Sequence, residues 1–376
     1  NNAAVWNGTS FEPTPTSGSG SLGLGLPTNG HPLEVKTLRV LDADGSGPQP
    51  PRLFVGGAFN GAGPPVTANA ASFDGSQFGA LPFWVNTGDP FAVSWFDDVS
   101  YPVIEDFATV TEGGTTSLFA TSLNIGADAG VYRWDGARFY PIGFMGGSGA
   151  WRIFGYDDGS GPALWAFNAV EEITVLPFLG MIGNSIDAKG VARWRSATGW
   201  EPVDAGIPDG AFFYARDGVV HDFGTGPSLY AFGRADGLPG FHQGHVARWT
   251  GSSWDIQALP LTGDFARIEQ SVRWGGSIYV SGFFQSINGT PAVSIARWNG
   301  TAWFALGSGL TDSVNGLESV RVSSMAVHDD GTGPALYDAT LGRPCSGFAI
   351  NPRSAVSASC PVAFADGPGI RYASSA

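Results

Sequence analysis

The sequence predicts an all-β chain, a six-bladed β-propeller of four-stranded antiparallel blades in which N-terminal strands close the last blade. Three observations lead there. The 376 residues include 56 Gly and 26 Pro but only 14% charged residues, a composition that opposes long helices and favours short strands joined by tight turns. Two short phrases alternate along the chain in six copies each. The two ends of the chain carry complementary halves of the repeating unit.

The first phrase runs VWNGTSF at 5–11, SFDGSQF at 72–78, RWDGARF at 133–139, RWRSATGW at 193–200, RWTGSSW at 248–254 and RWNGTAW at 297–303. Each copy sets a D-G, N-G or T-G turn between two aromatic ends. That is hairpin chemistry, because Gly supplies the positive φ that a two-residue turn demands, and the aromatics are expected to pack on the neighbouring sheet. The second phrase runs DGSGPQPPRLFVGGAF at 44–59, EGGTTSLFATS at 112–122, DGSGPALWAF at 158–167, FGTGPSLYAF at 223–232, WGGSIYVSGFF at 274–284 and DGTGPALYDA at 330–339. Here a Gly-rich turn leads into an apolar strand, which makes a second hairpin. Two hairpins form a four-stranded sheet that cannot bury both faces alone, so six such sheets are expected to stack radially.

Residues 3–11 carry an outer hairpin with no inner one before it, and 322–339 carry an inner hairpin with no outer one after it. Joining them closes the ring and hides two open sheet edges. The expected domain is therefore a single propeller over 1–376, with about 340–376 as a C-terminal extension outside the repeat. Cys345 and Cys360 lie in that extension, with fourteen residues between them and without zinc-type partners. They are expected to form a disulfide, which implies a secreted or cell-surface protein.

Charge narrows the partners. Lys plus Arg number 19 and Asp plus Glu 33, a net charge of −14, so nucleic acid and anionic membrane surfaces would be repelled. No apolar run reaches the roughly 18 residues of a membrane span, and Asn1 opens no recognisable signal sequence, so the chain reads as mature and soluble.

The run IARWNGTAWFALGSGL at 295–310 with DDGTGPALYDA at 329–339 resembles the tandem repeats of β-propeller proteins of predicted secreted bacterial type, distantly similar to Kelch and WD-repeat propellers. The resemblance covers most of the chain, departing in the long loops and after residue 340. It implies a scaffold and no particular reaction.

The chemistry-bearing motifs are few. GSGSLG at 18–23 has dinucleotide spacing but no flanking strand and helix, and reads as a Gly/Ser loop. No G-x-S-x-G, H-E-x-x-H or Walker A phrase is present. His221 and His328 precede equivalent turns and belong to the repeat, whereas His242 and His245 sit in a loop peculiar to one unit near Asp236. Their spacing could seat a transition metal, but no third ligand is evident, so no metal site is assigned. The loops at 42–47, 157–161 and 329–333 resemble calcium loops, yet the place of the bidentate Glu falls on Leu53. They are expected to be turns whose Asp carboxylates bind local backbone N–H groups, which leaves incidental calcium as the one cofactor in view. The sequons at Asn7, Asn288 and Asn299 fall largely within repeat turns.

The expected function is non-catalytic, extracellular binding or adhesion, with a glycan or an extracellular protein held by loops on one face. The alternatives are a secreted hydrolase or lyase acting on polysaccharide, and a structural component of a surface matrix. Within-hairpin turns lie on one side of a blade. The connections on the other side vary in length, at 60–69, 82–103, 121–130, 168–190 and 233–245, and variation on a rigid scaffold is where recognition resides. Trp84 and Trp95 are the two tryptophans in a variable loop, and they are the expected stacking platforms. Glu171, Glu172, Asp187, Asp236, His242 and His245 are the polar candidates on that face.

Overall fold

A computed structural model of the chain describes residues 4–6, 11–13, 34–60, 68–74, 78–83, 103–123, 130–145, 150, 152–167, 172–174, 185–208, 211–236, 244–263, 265–307, 309, 321–329 and 334–341. Among these residues there is no helix. Strands β1 (Ala4–Trp6) and β2 (Phe11–Pro13) form a two-stranded sheet. Sheet 1 consists of β3 (Glu34–Leu41), β4 (Arg52–Asn60), β5 (Ala68–Phe73) and β6 (Phe78–Ala80), paired in chain order. Sheet 2 has β7 (Val103–Glu112), β8 (Thr115–Leu123), β9 (Gly130–Trp134) and β10 (Phe139–Met145) in the same meander. Sheet 3 starts with β11 (Arg152–Asp157) and β12 (Pro162–Phe167). After the short strands β13 (Glu172–Thr174) and β14 (Ser185–Asp187), it is completed by β15 (Val191–Arg195) and β16 (Gly199–Pro202).

Sheet 4 is β17 (Phe212–His221), β18 (Ser228–Asp236), β19 (Gly244–Trp249) and β20 (Trp254–Leu259). Beyond β21 (Leu261–Thr262), sheet 5 begins with β22 (Arg267–Trp274) and β23 (Ser277–Phe283). After β24 (Ser286–Ile287) and β25 (Thr290–Pro291), it ends with β26 (Ile295–Trp298) and β27 (Trp303–Ala305). A last hairpin pairs β28 (Arg321–Asp329) with β29 (Pro334–Leu341). The chain divides into two compact units. One comprises Asn1–Val5 and Glu12–Asp204, and the other Trp6–Phe11 and Ala205–Ala376.

The first phrase forms the outer hairpin of each sheet. Its aromatic ends are direct cross-strand partners: Phe73 with Phe78, Trp134 with Phe139, Trp194 with Trp200, Trp249 with Trp254 and Trp298 with Trp303. The loop between them is longer than the two residues expected. At 135–138 the Asp135 amide bonds the Arg138 carbonyl, while Asp135 Oδ1 accepts from the Ala137 and Arg138 amides, both at 2.8 Å. Asn299 does the same for Thr301 and Ala302. The acceptor side chain therefore closes the turn, and Gly136 and Gly300 supply the positive φ at its second position.

Packing between sheets follows from the same rings. In the first unit, Phe54, Phe107, Tyr132 and Phe139 share a core between sheets 1 and 2. Phe119 meets Trp194 edge-on at 5.4 Å, and the Trp200 indole donates to the Ile142 carbonyl at 3.0 Å, which joins sheets 2 and 3. In the second unit, Phe232, Ile278, Val280 and Trp303 join sheets 4 and 5, and Tyr279, Met325 and Leu336 join sheet 5 to the last hairpin.

One device recurs in the first strands. The register slips by one residue between Val35 and Thr37, Ile104 and Asp106, Ala215 and Asp217, Ile268 and Gln270, and Val322 and Ser324. Each slip is a β-bulge, which bends the strand and re-aims the residue after it. Opposite two of the bulges stand Gly233 and Gly282. A Cβ there would lie 2.0 Å from the Tyr214 carbonyl oxygen and 2.1 Å from that of Arg267, so only Gly fits.

Candidate functional site

The residue after each of four bulges, Thr37, Asp106, Asp217 and Gln270, reaches the next sheet. Asp106 Oδ2 accepts the Ile153 amide at 3.3 Å, Asp217 Oδ2 accepts the Ser271 amide at 2.6 Å, and Gln270 Oε1 accepts the Met325 amide. Thr37 Oγ1 donates to Asp106 Oδ1 at 3.1 Å. Asp106 is fully buried and also takes a two-pronged contact from Arg39, Nε to Oδ1 at 2.8 Å and Nη2 to Oδ2 at 3.0 Å. Burial by itself raises its pKa, but the Arg39 and Arg152 guanidiniums, the Arg39 hydrogen bonds and the Phe107 amide outweigh that and hold the carboxyl below its ordinary 3.8. These groups are occupied in joining sheets, so the first strands carry a structural polar column.

The within-hairpin turns are equally committed to structure. Asp157 Oδ1 accepts from the Gly159 and Gly161 amides, Asp222 Oδ1 from Gly224 and Gly226, and Asp42 Oδ1 from Asp44 and Gly45. The expected local bonding is present, and among the described residues no group of three or more His, Cys, Asp or Glu gathers as a metal would need. Asp158 is held against Arg193, whose Nη1 donates to its Oδ2 at 2.7 Å. The repeat arginine also lies over Trp165, with its guanidinium carbon 5.7 Å from the ring centre. Arg133 and Arg248 likewise donate to Ser117 and Ser228 on the adjacent strand. Burial raises the Tyr230 pKa and Arg248 partly offsets it.

The connections on the opposite side differ in kind, because two of them build extra β-structure. β13 and β14, from the connection within sheet 3, pair onto β10, the outer strand of sheet 2, giving the order β14-β13-β10-β9-β8-β7. In the second unit, β24 and β25, from the connection within sheet 5, form a separate three-stranded sheet with β21, in which β24 pairs with both β21 and β25. Connections thus add β-structure in both units.

Several expected site residues fall on this structure. Glu172 and Asp187 are cross-strand partners on β13 and β14, and Asp187 is exposed. Asp236 ends β18 opposite Phe212. His245 is buried on β19, four residues before Trp249, at the place that Asn69, Gly130, Gly190 and Ser294 hold before their own aromatics. It belongs to the repeat, as His221 does. Trp84, Trp95, Glu171, His242, Cys345 and Cys360 lie outside the described residues. Phe265, which the sequence reading passed over, stands on the connection from β21 to β22 with φ +56° and its side chain 86% exposed. Its signal was a turn, GDFA, lacking Gly where a positive φ is required.

No protein-family model matches the chain, and no curated protein matches it in sequence. Among solved structures it is similar to the computationally designed Ika8 protein, with a TM-score of 0.38 and 12% identity over 80% of this chain and 68% of that one. It is also similar to the GH43_1 enzyme from Xanthomonas citri complexed with xylose, with a TM-score of 0.33 and 12% identity over 63% and 81%. A third is the extracellular domain of a protein described as a one-component system from B. thetaiotaomicron, with a TM-score of 0.33 and 10% identity over 82% and 37%. At these scores the likeness carries no functional inference.

Proposed function

We propose that the chain is a closed six-bladed propeller of the cell exterior that binds a glycan or an extracellular protein, without catalysis, on the face carrying its connections. The observation behind this reading is the division of labour between the two sides of the sheets. Carboxylates in the within-hairpin turns are bound to their own backbone, whereas connections in both units are elaborated into added strands that leave side chains such as Asp187 and Phe265 exposed. A repeated scaffold with one elaborated face is the usual basis of recognition.

Closure draws support from the first and last strands. Leu38 on β3 is 59% exposed, while Phe107 and Met325, which hold the same place after the bulge, are buried against the sheet before them. In a ring, the last hairpin is the sheet before β3. The two-stranded sheets β1–β2 and β28–β29 would together supply the four strands of one blade. The test is to screen the chain on an immobilised panel of neutral and acidic glycans, beside a form lacking residues 1–13. The whole chain should bind and the shortened form should melt lower. Equal melting would refute closure, and binding to no glycan would refute that half of the reading.

A further inference from the structure

We infer that Phe265 is the stacking platform for one ring of a neutral saccharide, an inference that rests on the binding-face reading above and gives it a ligand class. The turn at 263–266 is closed by the Ala266 amide on the Gly263 carbonyl at 3.3 Å, so Phe265 occupies its third position. A positive φ there is met without strain by Gly or Asn, and a Phe at +56° is an outlier. Its ring is also left in water, at 86% exposure. Two unfavourable features at one residue are what a binding group tolerates and a structural one does not.

The turn is tied to the strand that follows it. Arg267 Nη1 donates to the Phe265 carbonyl at 3.1 Å, and Arg267 Nε is held by Glu269. On the strand entering the turn, Thr262 Oγ1 shares a hydrogen bond with Ser286 Oγ at 2.7 Å, and both are exposed enough to exchange hydroxyl partners with a ligand. The local charge decides the ligand. Arg267 is neutralised by Glu269 and the chain carries a net charge of −14, so nothing at this turn attracts an acidic sugar.

The size of the apolar patch separates a sugar from a protein. Among the described residues from 244 to 307, only Phe265 and Phe304 are large apolar side chains left exposed, and Phe304 carries the Arg297 guanidinium 4.6 Å from its ring centre. A protein hot spot needs a ring set within further apolar surface that excludes water. A single flat ring matches the C–H face of one pyranose.

The experiment is calorimetric titration of the full chain with cellohexaose, xylohexaose, mannohexaose and laminarihexaose, and with hexagalacturonate as the acidic comparison. The expected result is binding of at least one neutral hexasaccharide and none of hexagalacturonate. Phe265→Ala should weaken binding at least about tenfold, and Phe265→Trp should retain it. Phe265→Gly should abolish binding while moving the urea midpoint upward, since Gly accepts the turn's φ. Binding by the parent chain that Phe265→Ala leaves within about twofold overturns the platform and leaves the binding-face reading standing. Failure of the parent chain to bind any neutral hexasaccharide at millimolar concentration overturns the platform and leaves only the protein half of the binding-face reading. A dimer of the chain that Phe265→Ala abolishes would assign the ring to a protein contact and also overturn the inference.

Discussion

Replacing Asp106 by Ala tests whether the residue after the bulge holds neighbouring sheets together. The carboxylate is fully buried and accepts from the Ile153 amide of sheet 3, the Phe107 amide, Thr37 Oγ1 and both prongs of Arg39. Ala leaves the Ile153 and Phe107 amides without this acceptor, at about 1–2 kcal/mol each. Arg39 has 41% of its side chain exposed, so it can turn to water, and its loss adds less than about 1 kcal/mol. The expected destabilisation is therefore about 3–4 kcal/mol, a large share of the stability of a typical domain. Asp106→Asn keeps the shape and one acceptor but gives up the charge-assisted bonds, and should cost about 2 kcal/mol. Urea unfolding followed by tryptophan fluorescence reads both values, with an unchanged slope showing that stability alone has moved. A loss below about 1 kcal/mol for Asp106→Ala would refute the argument, because buried amides cannot be deprived of an acceptor at so small a cost.

The same column predicts a pH signature. The folded Asp106 carboxyl sits below its ordinary 3.8, so its stabilisation is fully present above that value and is lost as pH falls through the lower folded value. The stability gap between the parent chain and Asp106→Asn should stay level from neutral pH down to about pH 5 and narrow only in stronger acid; a gap that closes near neutrality would contradict this. At the corresponding place in sheet 4, Asp217→Ala should cost about 2 kcal/mol by freeing the Ser271 amide, and Asp217→Asn less than half of that, measured by the same unfolding. Gly282→Ala places a Cβ 2.1 Å from the Arg267 carbonyl oxygen and should cost at least about 2 kcal/mol. Gly113→Ala has open space and only its φ of +57° to overcome, and should cost about 1 kcal/mol; the reverse order in thermal melts would show that close approach at the bulge is not what selects Gly.

What could be read from the sequence was whatever repeats with short range. The aromatic ends of each first phrase are cross-strand partners because a hairpin fixes their register locally, and the Gly and Asx residues between them encode the turn directly. The turn carboxylates were legible for the same reason, as Asp157 bonds amides two and four residues away. The bulges were not read. Their only local trace is a polar residue breaking the apolar alternation, in E-D-F at 105–107, R-D-G at 216–218 and E-Q-S at 269–271. Its meaning depends on an amide 47 to 55 residues further on, which no local pattern displays.

The candidate site was harder to read for a related reason. A residue shared by the copies of a repeat is explained by what the copies have in common, namely packing and turns, so recognition has to be sought where a copy departs from the rest. That logic pointed to the connections as the place of recognition, and β13–β14 and β24–β25 are built from them. Applied residue by residue it chose His245, which departs in chemistry but holds a repeat position before its strand's aromatic and is buried there. It also passed over Phe265, because an apolar residue near the start of a strand looks like core until its φ and exposure are known. Departure from a repeat therefore has to be judged in backbone conformation as well as in residue type. Both residues differ from the other copies in side chain, but only at Phe265 do an unfavourable backbone angle and an unburied ring occur together, and neither is needed to hold the sheet.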